Sequence, residues 1–241
     1  MEFNVEKNKE LYIKLCNNLI KRPGLDKILA MLDRTDFYTA PASMKYHGNS
    51  RGGLCFHSLG VFFGLMDILV MESTKLGYQV GVEVEMVKAG ENPLEGNTIK
   101  LEEPIREVFG KNVTLESLAI TGLFHDFHKL NYYEEYEKSV FKGYDDFGKK
   151  IWENQIAYKV RDDLLVLGLD GTNSNYVIST AMGLTYEERL AIENHMGYIS
   201  GMGLLPSASR AWTKSRLAVY LHIADMLAAY VYENPVGGDN V

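Results

Sequence analysis

A mainly α fold carrying a small inserted β-hairpin is what this sequence predicts, and three observations carry it. Apolar residues recur at helical spacing through much of the chain, beginning with Leu11, Leu15 and Leu19. Two long apolar runs, LGVFFGLMDILVM (59–71) and RLAVYLHIADMLAAYVY (216–232), read as buried core helices. Against that background one stretch, YQVGVEVEMV (78–87), alternates Val with polar residues and suits a strand.

In chain order, residues 5–21 put Leu11, Leu15, Cys16 and Leu19 on one period, and Pro23-Gly24 stops the run. A short helix is expected over 25–33, followed by the turn-rich segment DFYTAPASMKYHGNSRGG. The periodicity is helical again from Leu54 to about Lys75, until Gly77. After the strand at 78–87 comes a Gly/Asn/Pro cluster, with TIKLEE (98–103) as the partner strand, so the hairpin is expected at 78–105. Thr114 is a good N-cap for a helix over 115–130, with Glu116 near its positive end. Residues 131–175 are Tyr-rich, with Gly-containing turns and short alternating runs such as IAYKVRDD, and read as a second insertion. Thr185 and Glu188 form a T-x-x-E capping box opening a helix through about Met196. GMGLLPSASRAW is expected to be a loop, the last helix to run from about Thr213 to Tyr232, and the tail ENPVGGDNV to fray.

The 241 residues suit one large domain with a sizeable core. With 25 Lys+Arg against 32 Asp+Glu the net charge is −7, which disfavours non-specific clamping of duplex nucleic acid. Cys16 and Cys55 make no disulfide framework and no CxxC pair. The charged start MEFNVEKNKE is no signal peptide. The run at 59–71 is too short to cross a bilayer, and the final run carries His222 and Asp225 near its middle. The expectation is a cytoplasmic protein with no membrane partner.

The six histidines are His47, His57, His125, His128, His195 and His222. His57 opens an apolar helix, His125-Asp126 interrupts the apolar LAITGLFHDFHKL, and Asp225 lies within the apolar final helix. Each has an ordinary explanation by itself: a hydrogen-bonded core histidine, or a carboxylate that caps or pairs. A carboxylate in such surroundings is costly unless paired, protonated or bound to a cation. Two imidazoles and two carboxylates on three apolar helices make a mixed N/O set for a divalent transition metal.

The order His57, His125-Asp126, Asp225 resembles the HD superfamily of metal-dependent phosphohydrolases. LFHDFHKL is similar to the family's apolar-HDxxK pattern, and LHIADMLA to its closing helix. APASMKYHGNSRGGLCFHSLGVF resembles the HD segment of bacterial 3′–5′ exoribonucleases, and LAIENHMGYI the segment between the HD pair and the last Asp. The likeness covers about 40–232, leaving 78–105 and most of 131–175 as insertions in a single HD-type domain. It implies a helical bundle with the metal at its centre, held by His57, His125, Asp126 and Asp225. Lys129 then falls where an ammonium could reach a phosphoryl oxygen; a solvated helix end is the ordinary alternative. His195 falls where the family carries a second-metal ligand or a phosphate-contacting His, or it simply complements a helix end. The family often has two adjacent histidines there; here Met196 follows, and a dinuclear site would lack a ligand. His47 matches the first of the exonuclease-like paired histidines, the second being Gly48. Arg51, in a Gly-flanked loop, is a candidate phosphate clamp or a surface arginine. His222 suits packing, and His128 is expected to point away from Asp126.

These expectations converge on metal-assisted hydrolysis of a nucleotide or similar small phosphoester, with Mn, Fe, Co, Ni or Zn as the ion. Asp126, Lys129 and His195 are the catalytic candidates, and His47, Arg51, Lys129 and His195 the substrate contacts. Two alternatives remain open: a 3′ exonuclease on single strands, with Tyr132, Tyr133 and Tyr136 stacking bases, and a non-catalytic nucleotide-binding module.

Overall fold

In a computed structural model, the described residues are 3–91, 99–164, 169–199, 203–204 and 206–233. Helix α1 (Val5–Leu19) starts where the Asn4 side chain accepts from the Lys7 N–H, and it buries Tyr12, Leu15, Cys16 and Leu19. Helix α2 (Leu25–Leu32) adds Ile28 and Leu32 to the same core. Helix α3 (Gly53–Lys75) is the central rod, buried nearly all round through its first four turns. It is longer than the apolar run 59–71 and by length and composition could cross a membrane, but 78% of its apolar window is buried inside the protein.

Helices α6 (Leu115–Phe124) and α10 (Arg216–Leu227) flank α3. Small residues set their distance. On α3, His57, Gly60 and Gly64 share a face by their i, i+3, i+7 spacing. A Cβ at Gly60 would stand 3.1 Å from the Ala228 Cβ, and one at Gly64 3.1 Å from the Ala224 Cβ. On the α6 side, a Cβ at Gly122 would come within 2.8 Å of the Phe62 Cα. These contacts bring the backbones carrying His57, His125 and Asp225 close together. Tyr12 ties α1 to the same point, its hydroxyl donating to the Leu123 carbonyl at 3.0 Å.

The capping box at Thr185 is present at the start of α8 (Tyr186–Glu193). Glu188 also receives a bidentate pair from Arg22, Nη1 to Oε2 at 2.5 Å and Nη2 to Oε1 at 2.9 Å. Arg22 reaches Glu116 at 3.1 Å as well, so one guanidinium joins the starts of α6 and α8 to the end of α1.

Four expectations need correction. The segment 78–105 is not a hairpin: its described residues include α4 (Gly81–Lys88) and most of α5 (Ile99–Phe109), while 92–98 lie outside them. Val80, Val84 and Val87 are buried and Val82 is exposed, so the helical set within the alternation wins. The hairpin lies instead at β1 (Tyr133–Tyr144) and β2 (Lys150–Val160), inside the second insertion. It is antiparallel, Tyr133 opposite Val160, with a register shift between Phe141 and Gly143. Third, 170–179 form helix α7 (Asp170–Ser179), and much of the expected loop at 201–212 is α9 (Pro206–Lys214). A short ladder pairs β3 (Tyr198–Ile199) with β4 (Gly203–Leu204). Fourth, α6 does not run to 130. It stops at Phe124, and a 3₁₀ turn at Phe127–Lys129 follows.

Candidate metal centre

The break after α6 shapes the site. His125 caps the helix, its Nδ1 lies 2.9 Å from the Gly122 carbonyl, and its side chain is wholly buried. A carbonyl only accepts, so Nδ1 carries a proton, and in the neutral ring Nε2 presents a bare lone pair. His195, just past α8, repeats the arrangement with Nδ1 2.6 Å from the Ile192 carbonyl. Both Nε2 atoms are buried and lack a hydrogen-bond partner among the described residues. Both face Asp126: His125 Nε2 is 3.6 Å from Oδ2, and His195 Nε2 is 3.6 Å from Oδ1.

From α3, His57 Nε2 lies 3.1 Å from Asp225 Oδ1 and 3.7 Å from Asp126 Oδ2. Two overlapping donor groups result, His57/His125/Asp225 and His125/Asp126/His195, with the atoms of each within 4.8 Å of one another. All four residues expected to hold a metal therefore share one buried place, and His195 joins them.

The electrostatics follow from that crowding. Burial pulls His57 down, yet hydrogen bonds to Asp225 and Glu233 outweigh it and push the ring up to about 10. Burial and the neighbouring rings hold His125 down to about 4 despite the Asp126 charge. His195 is also desolvated, but Asp126, though too distant for a hydrogen bond, raises it. Burial opposes ionisation of Asp126, while Lys129 and the histidines hold it well below the usual carboxylate range. Asp225 is depressed in the same way, chiefly by His57. Positive charge is thus favoured between the buried Asp126 and the partly buried Asp225, and protons or a cation can supply it.

Lys129 is brought to the centre: its Nζ donates to Asp126 Oδ2 at 2.6 Å, and burial is outweighed by that carboxylate, which raises the ammonium. His47 also arrives, its ring centroid 4.8 Å from that of His57. Arg51 does not join them. It is exposed in the turn before α3, where its charge acts on Tyr158 of β2. His222 packs as expected, accepting Trp212 against its ring at 4.8 Å, with Nδ1 2.6 Å from the His195 carbonyl.

Two residues were read differently from sequence. His128 does not point away: Nδ1 is 3.6 Å from Asp126 Oδ1 and 3.1 Å from Ser174 Oγ, and Nε2 is 3.7 Å from Asp170 Oδ2. A continuous α-helix would set positions 126 and 128 about 200° apart, but the chain leaves the helix at Asp126 (φ −102, ψ 19) before the 3₁₀ turn, and both side chains reach the centre. Glu233 begins the tail expected to fray, yet its Oε1 is 2.7 Å from His57 Nδ1. Of the proposed stacking set, Tyr136 is exposed on the hairpin, while Tyr133, at the start of the same strand, is half-buried with its hydroxyl's titration influenced by Lys129.

Comparison with protein-family models, with curated proteins and with solved structures gives no match.

Proposed function

We propose that this chain is a metal-dependent phosphohydrolase of the HD type, acting on a nucleotide or similar small phosphoester. One observation carries the reading: the buried Nε2 atoms of His125 and His195, whose Nδ1 atoms face carbonyls, have no hydrogen-bond partner among the described residues and face the Asp126 carboxylate. Nitrogen lone pairs against a carboxylate are unfavourable unless protons or a cation stand between them, and one cation serves both rings at once. Mixed imidazole and carboxylate donors suit Mn²⁺, Fe²⁺, Co²⁺, Ni²⁺ or Zn²⁺. His57, His125, Asp126 and Asp225 would hold the ion, with His195 beside them. When bound, such an ion lowers the pKa of a coordinated water toward neutrality and polarises a phosphoryl oxygen.

The chain's own groups do the rest. Lys129 keeps Asp126 ionised and holds its carboxylate in one orientation, adding positive charge where phosphoryl oxygens gain negative charge. His47, beside His57, offers an imidazole to the substrate's phosphate or sugar. The order of the four donors along the chain, and the helices that carry them, support the HD assignment. The net charge of −7 favours a small substrate over a strand.

The test is a panel of nucleoside mono- and triphosphates, cyclic nucleotides and short single strands, each with several divalent metals and with chelator. Phosphate release from a nucleotide that needs metal and is abolished in Asp126→Ala supports the reading. Metal-dependent shortening of single strands, falling steeply with salt, would replace it with the exonuclease. Metal-independent turnover, or full activity in Asp126→Ala, would reject the site.

A further inference from the structure

Helix α10 ends in a π turn at Ala228–Tyr232, closed by the Glu233 N–H donating to the Ala228 carbonyl at 3.1 Å. Two α-turns take up about 7.2 residues, so the eighth residue after Asp225 would overshoot the side that Asp225 faces. The wider π turn absorbs that excess, and Glu233 returns to the same side as Asp225. Its carboxylate then meets His57 from behind, Oε1 to Nδ1 at 2.7 Å, while His57 Nε2 faces Asp225.

Space for Glu233 comes from the loop before α3. At the second of the paired-histidine positions this chain has Gly48, with φ +57. A Cβ there would stand 3.0 Å from Glu233 Oε2 and 2.8 Å from the Ala42 Cβ. The Glu233 carboxylate is buried, and Oε2 has no hydrogen-bond partner among the described residues. Among the described residues, the donor this carboxylate meets is the His57 Nδ1–H.

We infer that Glu233 is a positioning residue of the metal centre, holding His57 as the Nδ1–H tautomer so that its Nε2 lone pair is directed at the cation. The inference rests on the metal-site reading above. Carboxylates behind ligating histidines fix ring orientation and raise ligand basicity, and their loss costs roughly 10- to 100-fold in metal affinity. The contrast within the site is informative. His125 and His195 are held by neutral carbonyls of their own helices, whereas His57 is held by a charged group 176 residues away.

The test uses the full chain, stripped with chelator and titrated calorimetrically with Mn²⁺ and with Zn²⁺. Wild type is compared with Glu233→Met, which keeps bulk without an acceptor, and Glu233→Gln, which restores a neutral acceptor. The expected result is a 10- to 100-fold weaker Kd in Glu233→Met and partial recovery in Glu233→Gln. Nitrogen NMR of the Zn²⁺ form should show the hydrogen-bonded His57 Nδ1–H in wild type and Glu233→Gln, and its loss in Glu233→Met. A Glu233→Met protein that binds within threefold of wild type, with the His57 tautomer unchanged, overturns the inference and leaves the metal site standing. Failure of wild type itself to bind either metal overturns the parent reading instead.

Discussion

Lys129 Nζ donates to Asp126 Oδ2 at 2.6 Å, and its side chain is only 14% exposed. The ammonium is committed to a carboxylate of the candidate metal site, so its removal has two separable effects. Without a cation, Lys129→Met leaves Asp126 buried with less compensation, and losing one partner of a buried pair costs about 3–5 kcal/mol. A bound divalent ion would restore positive charge beside the same carboxylate. Thermal unfolding should therefore show a large loss of stability for Lys129→Met in chelator and a much smaller loss in Mn²⁺. Equal losses in both conditions would mean that the two charges do not act on one carboxylate. Hydrolysis should fall at least 10²-fold in either case, the scale for removing one preorganised donor.

The shifted histidines imply a pH profile for the metal-free protein. His57 is raised to about 10 from an unfolded value near 6.5, so its stabilisation is complete below about 6.5 and lost as pH rises toward 10. His125 is lowered to about 4 and His128 to about 3, burial being the main cause in both. The unfolded chain binds those protons first, so stability falls as pH drops below about 6.5. The metal-free protein should be most stable near pH 6.5, with denaturant midpoints declining on both sides. With metal bound, His57 is neutral at Nε2, and the alkaline decline should flatten between pH 6.5 and 8.5. Binding near pH 7 should also release a proton, visible as a calorimetric enthalpy that varies with the buffer's ionisation heat.

How much of this was legible beforehand depends on where burial lay. The helices bearing His57, His125 and Asp225 have unbroken apolar patterns because they are the core, so the donor set was visible from sequence. The hairpin was misplaced for a complementary reason. Val80 and Val84 fit a helical period and an alternation alike, with Val87 on the helical period only, and the true strands are mostly exposed, leaving only short alternating runs such as IAYKVRDD to detect. Helix α9 was missed because its buried stripe is only Ala208 and Ala211. His128 and Glu233 were missed through local helix geometry. A 3₁₀ turn and a π turn each redirect a side chain, and neither carries a residue signature.

Arg22 and Glu188 carry a prediction about placement at a distance. Glu188 is wholly buried, accepts both Arg22 bonds and the Thr185 N–H, and is held below its usual carboxylate range against the burial that raises it. Arg22→Met would strand that carboxylate at the start of the helix leading to His195, at a cost of about 3–5 kcal/mol. Arg22→Met/Glu188→Met should recover much of the stability, since a packed apolar pair can replace a buried ion pair. A double variant no more stable than the single one would mean that the pair organises the helix ends beyond its own charges. Denaturant unfolding of the two variants decides it.

Gly122 tests whether backbone approach sets the site. Its missing Cβ would fall 2.8 Å from the Phe62 Cα, backbone rather than a side-chain end that could swing aside. Gly122→Ala must therefore separate α6 from α3, at about 1–3 kcal/mol for overpacking. Gly122 also supplies the carbonyl that fixes His125, one turn before the HD pair. The same shift moves His125 away from His57, whose ring centroids now lie 5.3 Å apart. Metal affinity should fall with stability, in contrast to Gly77→Ala, where a Cβ meets open space and the added cost is the strain of φ +89 alone. A Gly122→Ala protein that is destabilised yet binds Mn²⁺ as tightly as wild type would show that the donors adjust independently of the helix spacing.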